Sequence, residues 1–372
     1  MKFLANDKLE ALLGGLAGEH RVVAPISDPD GGPLLFRPWE PGAPIDLDTL
    51  LTRQAPKSYI FKQSETYLKF GYKKEGDARA IAPEAAQPAQ TIVAIDPINE
   101  APKQVIFGLR PCDVRGFVQM DQVFGGYGGF YFDPYYNAKR DATTLVAVAC
   151  AKPRSTCFCT TVGGHPAGTE GVDVLLTPVE GGFSVEVLSE KGEALLASAG
   201  LSDATQEQEA SAEAVKEKAV NRIQPAFGDL TLDEIPQNMK ANLEDPEWAN
   251  LAARCISCGT CTYVCPNCYC FNITDEVVEG TGERTRTWDN CFNPTYTLET
   301  SGHNPRDIKK NRFRNRFSHK FWYYPEKYDS LLCSGCGRCI SGCPVRIDLR
   351  EVVRTMGAPR AALAEVASRG EA

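Results

Sequence analysis

Cys255-Ile-Ser-Cys258-Gly-Thr-Cys261-Thr-Tyr-Val-Cys265-Pro266 and Cys333-Ser-Gly-Cys336-Gly-Arg-Cys339-Ile-Ser-Gly-Cys343-Pro344 are the two stretches on which the reading of this chain turns. Each fits C-x2-C-x2-C-x3-C-P, the run that binds a four-iron four-sulfur cube. Three thiolates on one tight turn reach three irons, and the fourth thiolate comes from elsewhere. Gly259, Gly335 and Gly337 let the backbone curl closely around the cube and aim amides at its sulfurs. With 15 cysteines in 372 residues, three more at fixed offsets follow a given cysteine with a probability of about 10⁻⁴. Two copies are therefore not an accident.

In chains with two such runs, the fourth cysteine of each binds the other cube. That rule assigns Cys255, Cys258, Cys261 and Cys343 to one cluster, and Cys333, Cys336, Cys339 and Cys265 to its neighbour. It makes 231–372 a two-cluster domain resembling bacterial ferredoxins, with a long insertion between the runs. A zinc-bound interaction scaffold is the competing reading, since zinc also accepts four cysteines; it leaves the third cysteine and the proline of each run without a use.

Inside the insertion, Cys268, Cys270 and Cys291 read either as buried thiols beside the clusters or as ligands of something further. The segment 306–320 concentrates Arg and Lys and interleaves them with Phe313 and Phe317, with Phe321 just beyond. Such a pattern can stack on RNA. Next to anionic clusters, charge compensation, donation to sulfur, or docking of an acidic partner is the simpler use. A net charge of -8 argues in the same direction.

The first 230 residues read as an α/β (α+β) domain. Segments 91–96, 105–109 and 144–149 are short, β-branched runs bounded by turns, as buried strands should be. Between the last two, 114–124 carries Val114, Phe117, Val118, Met120 and Phe124 at helical spacing. A hairpin is expected over 173–187 and a polar helix over 206–223. Short helices are expected at 349–353 and 360–367. Cys112 and Cys150 each follow an expected strand, where ligands gather in open α/β sheets, and Cys157 and Cys159 stand on the loop that Cys150 opens. A third cluster on Cys112, Cys150, Cys157 and Cys159 would use all four thiols. Buried thiols at strand ends are the plainer alternative, and an intermediate one lets Asp113 or a water replace one thiolate. Asp113 and Arg115 otherwise form an ordinary pair at a helix N-terminus.

Cysteines in tight groups, rather than spread along the chain, suit metal binding in a reducing compartment better than a disulfide framework. Asp7, Glu10 and paired glycines interrupt the apolar stretch that a signal peptide needs, and no run reaches membrane-spanning length. A cytoplasmic location is expected.

The string Gly108-Leu-Arg-Pro-Cys-Asp-Val-Arg115, Asp133-Pro-Tyr-Tyr136 with Arg140, Cys150 and Thr156-Cys-Phe-Cys159 resembles the beta subunit of cytosolic NiFe sulfhydrogenases. It is similar also to the corresponding iron-sulfur subunits of anaerobic sulfite reductase and of flavin oxidoreductases associated with heterodisulfide reductase. Cys265-Pro-Asn-Cys-Tyr-Cys270, Trp288-Asp-Asn-Cys291, Gly302-His-Asn-Pro-Arg306 and His319-Lys-Phe321 extend the likeness, which runs from about Pro56 to the end. Asn267 stands where that pattern often has Thr. The resemblance implies an electron-relay subunit working beside a flavin- and NAD(P)H-binding partner and a catalytic subunit. No Gly-rich dinucleotide loop, P-loop or Ser/His/Asp arrangement speaks for catalysis by this chain itself. The rival is a catalytic subunit that reduces a sulfur compound at an open N-terminal iron or a flavin.

Overall fold

The computed structural model describes residues 1–28, 30–49, 51–75, 90–126 and 131–360. Twelve strands are found among them: β1 (Lys2–Ala5), β2 (Arg21–Ile26), β3 (Leu35–Pro38), β4 (Ser64–Glu75), β5 (Gln90–Pro97), β6 (Gln104–Leu109), β7 (Thr143–Val148), β8 (Val174–Val179), β9 (Gly182–Val187), β10 (Ser202–Asp203), β11 (Phe271–Val278) and β12 (Thr281–Trp288). They form an eight-stranded sheet in the order β10-β1-β9-β8-β7-β6-β2-β3 and a four-stranded sheet in the order β11-β12-β4-β5.

The centre of the large sheet, β2-β6-β7-β8, is parallel, and the hairpin β8-β9 and the outer strands run antiparallel. Every residue of β6 and β7 is buried, which is why both read as continuous apolar runs: parallel strands are covered on both faces. Val114, Phe117, Met120 and Phe124 of the helix Pro111–Phe124 cover one face. Leu13 and Leu16 of the helix Leu9–Ala17 cover the other, with Leu4 and Trp39. At Gly108 (φ +84°) the β6-β7 register slips. That bulge turns Arg110, Pro111 and Cys112 over the sheet edge, and the helix begins at Pro111 because its missing N–H leaves nothing unsatisfied there.

The expected elements at 105–109, 114–124, 144–149, 173–187, 206–223 and 349–353 are all present. The segment 91–96 is a strand, but not a buried one of the α/β sheet. It lies in β5 at the edge of the small antiparallel sheet, where Ile95 is 58% exposed. Its β-branched composition suits an edge as well as a core strand, so composition alone could not separate them. The helix expected at 360–367 lies outside the described residues beyond Arg360.

The small sheet takes β4 and β5 from before residue 230 and β11 and β12 from between the two cysteine runs. Arg286 on β12, fully buried, joins it to the N-cap of the helix Pro134–Asp141 that leads into β7: it donates to Glu65 Oε2 on β4 (2.9 Å) and to Asp133 Oδ2 (2.6 Å), with its guanidinium 4.5 Å from the Phe61 ring. Lys139 donates to the other Glu65 oxygen. The helices of the C-terminal part, Glu234–Ala241, Glu247–Ala252, Lys309–Ser318 and Leu349–Met356, enclose a core of Ile235, Met239, Trp248, Phe313, Phe317 and Met356.

Removing Arg286 leaves the buried Glu65 carboxylate with Lys139 alone and takes the guanidinium from half-buried Asp133, which keeps the Tyr67 hydroxyl and the N–H groups of Tyr135 and Tyr136. Arg286→Met should therefore destabilise the chain by about 3–5 kcal/mol, read as a lowered denaturation midpoint; a loss under about 1 kcal/mol would show that the network adds nothing beyond packing.

Candidate metal centre

The two cysteine runs fold alike because each puts left-handed backbone at the same two places. Ser257 (φ 56°) and Gly259 (φ 71°) in the first run correspond to Gly335 (φ 64°) and Gly337 (φ 72°) in the second. A short helix follows each, Thr260–Tyr263 and Arg338–Ser341. Such alternating turns point backbone N–H groups inward. Ser257 N–H donates to Cys255 Sγ at 3.4 Å, and Ile347 N–H to Cys343 Sγ at 3.3 Å.

Cys255, Cys258, Cys261 and Cys343 line one apolar cavity, walled by Phe292, Phe313 and Phe317, which Cys339 of the second run also enters. Cys258 is exposed, so this centre lies near the surface, whereas Cys333 and Cys336 are buried. Burial pushes the thiols of Cys261 up to about 11 and Cys339 up to about 12. A lone proton therefore stays on them, and a metal that takes the thiolate must supply the compensating charge.

Cys265 is joined to the second run by Lys320. This buried ammonium donates to Cys265 Sγ (3.4 Å), Asn267 Oδ1 (3.0 Å) and the carbonyl of Leu332 (2.8 Å), the residue before Cys333. Burial opposes its charge, yet Cys265 and Cys268 together hold its pKa above the usual lysine range. Arg316 donates to Cys268 Sγ (3.4 Å) and the Cys261 carbonyl (2.8 Å). Lys57 donates to the Cys268 carbonyl (2.6 Å) and lies 4.3 Å from the Trp288 ring. Of the basic segment 306–320, Arg312, Arg316 and Lys320 thus turn inward, while Arg314 pairs with Glu244 at the surface. Phe313, Phe317 and Phe321 are buried in the core and present no face on which a base could stack. Cys268, Cys270 and Cys291 stand in this cationic surround; a hydrogen bond from Cys265 holds Cys268 well below the usual thiol range, assisted by Lys320, Arg316 and Lys57.

In the N-terminal part, Cys112, Cys150, Cys157 and Cys159 line one cavity with Gly335 and Cys336. Burial pushes Cys150 up to about 12 and Cys159 up to about 11. The loop 150–159 lies directly on the second cysteine run: Phe158 N–H donates to the Gly335 carbonyl at 2.8 Å. Asp113 is more than a helix N-terminal residue. It caps the helix through Arg110 N–H and accepts both Nη atoms of Arg338 at 2.5 and 3.2 Å, each partner buried.

Residues 254–347 match the family model for a 4Fe-4S dicluster domain. The chain is also 32% identical, over 249 residues, to sulfhydrogenase 2 subunit beta of Pyrococcus furiosus, an overlap of 66% of this chain and 72% of that protein. It belongs to the iron-sulfur beta-subunit family of the sulfhydrogenases. No solved structure matches it. As a member of this family with a dicluster domain, it is an iron-sulfur electron-transfer subunit holding two four-iron four-sulfur clusters.

Asp113 reads in the sequence as a helix N-terminal residue or substitute ligand, and the segment ending at Lys320 as a donor to sulfur, which Lys320 is; missed in this beta subunit were the contacts by which Lys57, Asp113 and Arg338 bring the cysteine sets together. Arg338 carried a signal, being a long charged side chain at a place where the first run has Thr260. The others lie far from their partners in sequence, and spacing says nothing about them.

A Cβ at Gly335 would lie 2.5 Å from both Cα and N of Cys159. Gly335→Ala should therefore push the two cysteine-bearing loops apart and reduce iron per chain, at unchanged helix content by circular dichroism. Full retention of iron would mean that the loops separate without consequence.

Proposed function

We propose that this chain relays single electrons within a cytoplasmic multi-subunit oxidoreductase, between a flavin- and NAD(P)H-binding subunit and a catalytic subunit of hydrogenase, sulfur, sulfite or heterodisulfide reductase type. The observation that carries this reading is the packing of three cysteine sets through shared loops. When bound, each four-iron four-sulfur cluster takes up and gives back one electron. Cys255, Cys258, Cys261 and Cys343 would hold the first, as the cavity they share supports. Cys333, Cys336, Cys339 and Cys265 would hold the second; Lys320, bridging Cys265 to Leu332, supports that exchange of the fourth ligand. The residues between the runs, with β11, β12 and the helix Lys309–Ser318, are read as the insertion, and the division into 1–230 and 231–372 as the order in which the two units are encoded.

Cys112, Cys150, Cys157 and Cys159 would hold a third cluster. The donor set fits: four thiols line one cavity, and Oγ1 of Thr156, the residue before Cys157, is buried with no hydrogen-bond partner. Asp113 is a poor substitute for one of the thiolates, because Arg338 occupies both of its oxygens. Zinc is disfavoured by the donor spacing. Among the described residues no three His, Cys, Asp or Glu side chains converge as ligands of one ion would; the thiols of the first set and of the N-terminal set stand around cavities, as a cube requires, and not around a point. The cytoplasmic placement rests on cysteines that need a reducing compartment; among the described residues no helix is long and apolar enough to cross a membrane.

The chain purified anaerobically should carry about twelve irons, falling to about eight in the Cys157→Ser, Cys159→Ser double variant. Cys343→Ser should disturb the cluster of the first run and spare that of the second, seen by electron paramagnetic resonance. Zinc in place of iron would overturn the relay reading, and about eight irons in the unaltered chain would remove the third cluster alone.

A further inference from the structure

A second cavity, of about 240 Å³, adjoins the one that the N-terminal cysteines line. Cys112, Cys159 and His165 line both cavities, whereas Arg115 and Ser334 line only the outer one. Two buried polar atoms in its wall lack a hydrogen-bond partner: Nη1 of Arg115, and Oγ of Ser334, a residue only 2% exposed. A buried donor left unpaired costs free energy, so a pair of them in one cavity marks a place where something accepts. Neither residue lines the cavity that the four thiols share, although Arg115 Nη1 and Cys159 Cβ both lie against Gly164, so the guanidinium stands between that cysteine and the outer cavity.

The remaining wall offers further donors. His165 Nδ1 accepts the Ala167 N–H at 3.0 Å, which in the neutral ring leaves the proton on Nε2. Pro111 and Cys112 bring the N-terminus of the helix Pro111–Phe124, its positive end, to the same wall. The guanidinium lies over bare backbone: a Cβ at Gly164 would meet Arg115 Nη1 at 2.8 Å. Glu170 supplies the opposing carboxylate, but it is exposed at the rim, where water screens it. A cavity of this size is smaller than those that hold nucleotides or flavins.

We infer that this vestibule binds one small inorganic oxyanion of sulfate or phosphate size, against the solvent edge of the N-terminal cysteine set. Arg115 and Ser334 are its principal donors. The site itself stands on this geometry; its effect on redox behaviour rests on the reading that the four thiols hold a cluster. Negative charge placed beside an anionic cluster opposes the addition of a further electron and lowers its reduction potential. Anion occupancy would then set how readily this end of the chain accepts electrons.

The test uses the full iron-loaded chain. Calorimetric titration with sodium sulfate, and separately with sodium phosphate, against sodium chloride at equal ionic strength should show one saturable site for at least one oxyanion. Arg115→Gln should weaken it by at least about tenfold and Ser334→Ala by several-fold, while Arg115→Lys keeps part of the affinity. The same anion should lower the N-terminal cluster's midpoint potential, saturating over the same concentration range. Absence of saturable heat overturns the site. So does equal binding by Arg115→Gln and Ser334→Ala variants of unchanged iron content, the result of an adventitious ion only. Iron counts separate the two readings: saturable binding to a chain with about eight irons keeps the anion site and removes the third cluster, and about twelve irons without binding does the reverse.

Discussion

Arg338 leaves the second cysteine run and delivers its guanidinium to Asp113, with the Thr52 carbonyl accepting from Nε at 3.0 Å. Both charged partners are almost wholly buried. Taking such a pair out of water costs several kcal/mol for each ion, and the mutual attraction roughly returns it, so the net contribution to stability is small. Its value lies in position. Asp113 is the third residue of a helix whose second is Cys112, and Arg338 stands between Cys336 and Cys339. A single bidentate contact therefore fixes how two cysteine sets, distant in sequence, face each other, and any other arrangement would leave a charge buried alone.

Charge is handled in the same way deeper in the molecule. The chain is acidic overall, yet it buries Lys57, Arg316 and Lys320 among thiols. Ammonium and guanidinium groups so placed cannot be recovered by water, and they persist because sulfur and carbonyl oxygen accept from them. The two lysines differ: burial drives Lys57 below the usual lysine range, whereas Cys265 and Cys268 hold Lys320 above it. The lysine whose charge is held is the one that joins Cys265 to the start of the second run.

Much of this was legible in the residues. β6 and β7 announced themselves because a strand buried on both faces has no polar alternation to confuse it, and the helix Pro111–Phe124 because its apolar stripe covers that sheet. The cysteine runs were legible because their chemistry fixes their spacing. Pairing was not. Nothing in the segment 91–96 says that its partner is β4 or that the other side of β4 takes β12 from between the cysteine runs, since a β-branched run fits any pleated neighbour. The inward orientation of 306–320 was hidden for a related reason: alternating Phe and Arg describes both a stacking surface and a helix whose aromatic stripe is core.

The two runs also separate two demands on glycine that usually coincide. Ser257 and Gly335 hold equivalent places, and both have left-handed backbone, at φ 56° and 64°. Serine at 257 shows that the turn itself tolerates a side chain, at a modest cost in strain. What excludes one at 335 is the backbone of Cys159, which a Cβ would strike. The neighbouring places agree. Ile256 is 61% exposed, whereas its counterpart Ser334 is 2% exposed. The first run keeps its turn open to its surroundings. The second gives its turn over to the N-terminal cysteines, and the glycine records that contact in the sequence.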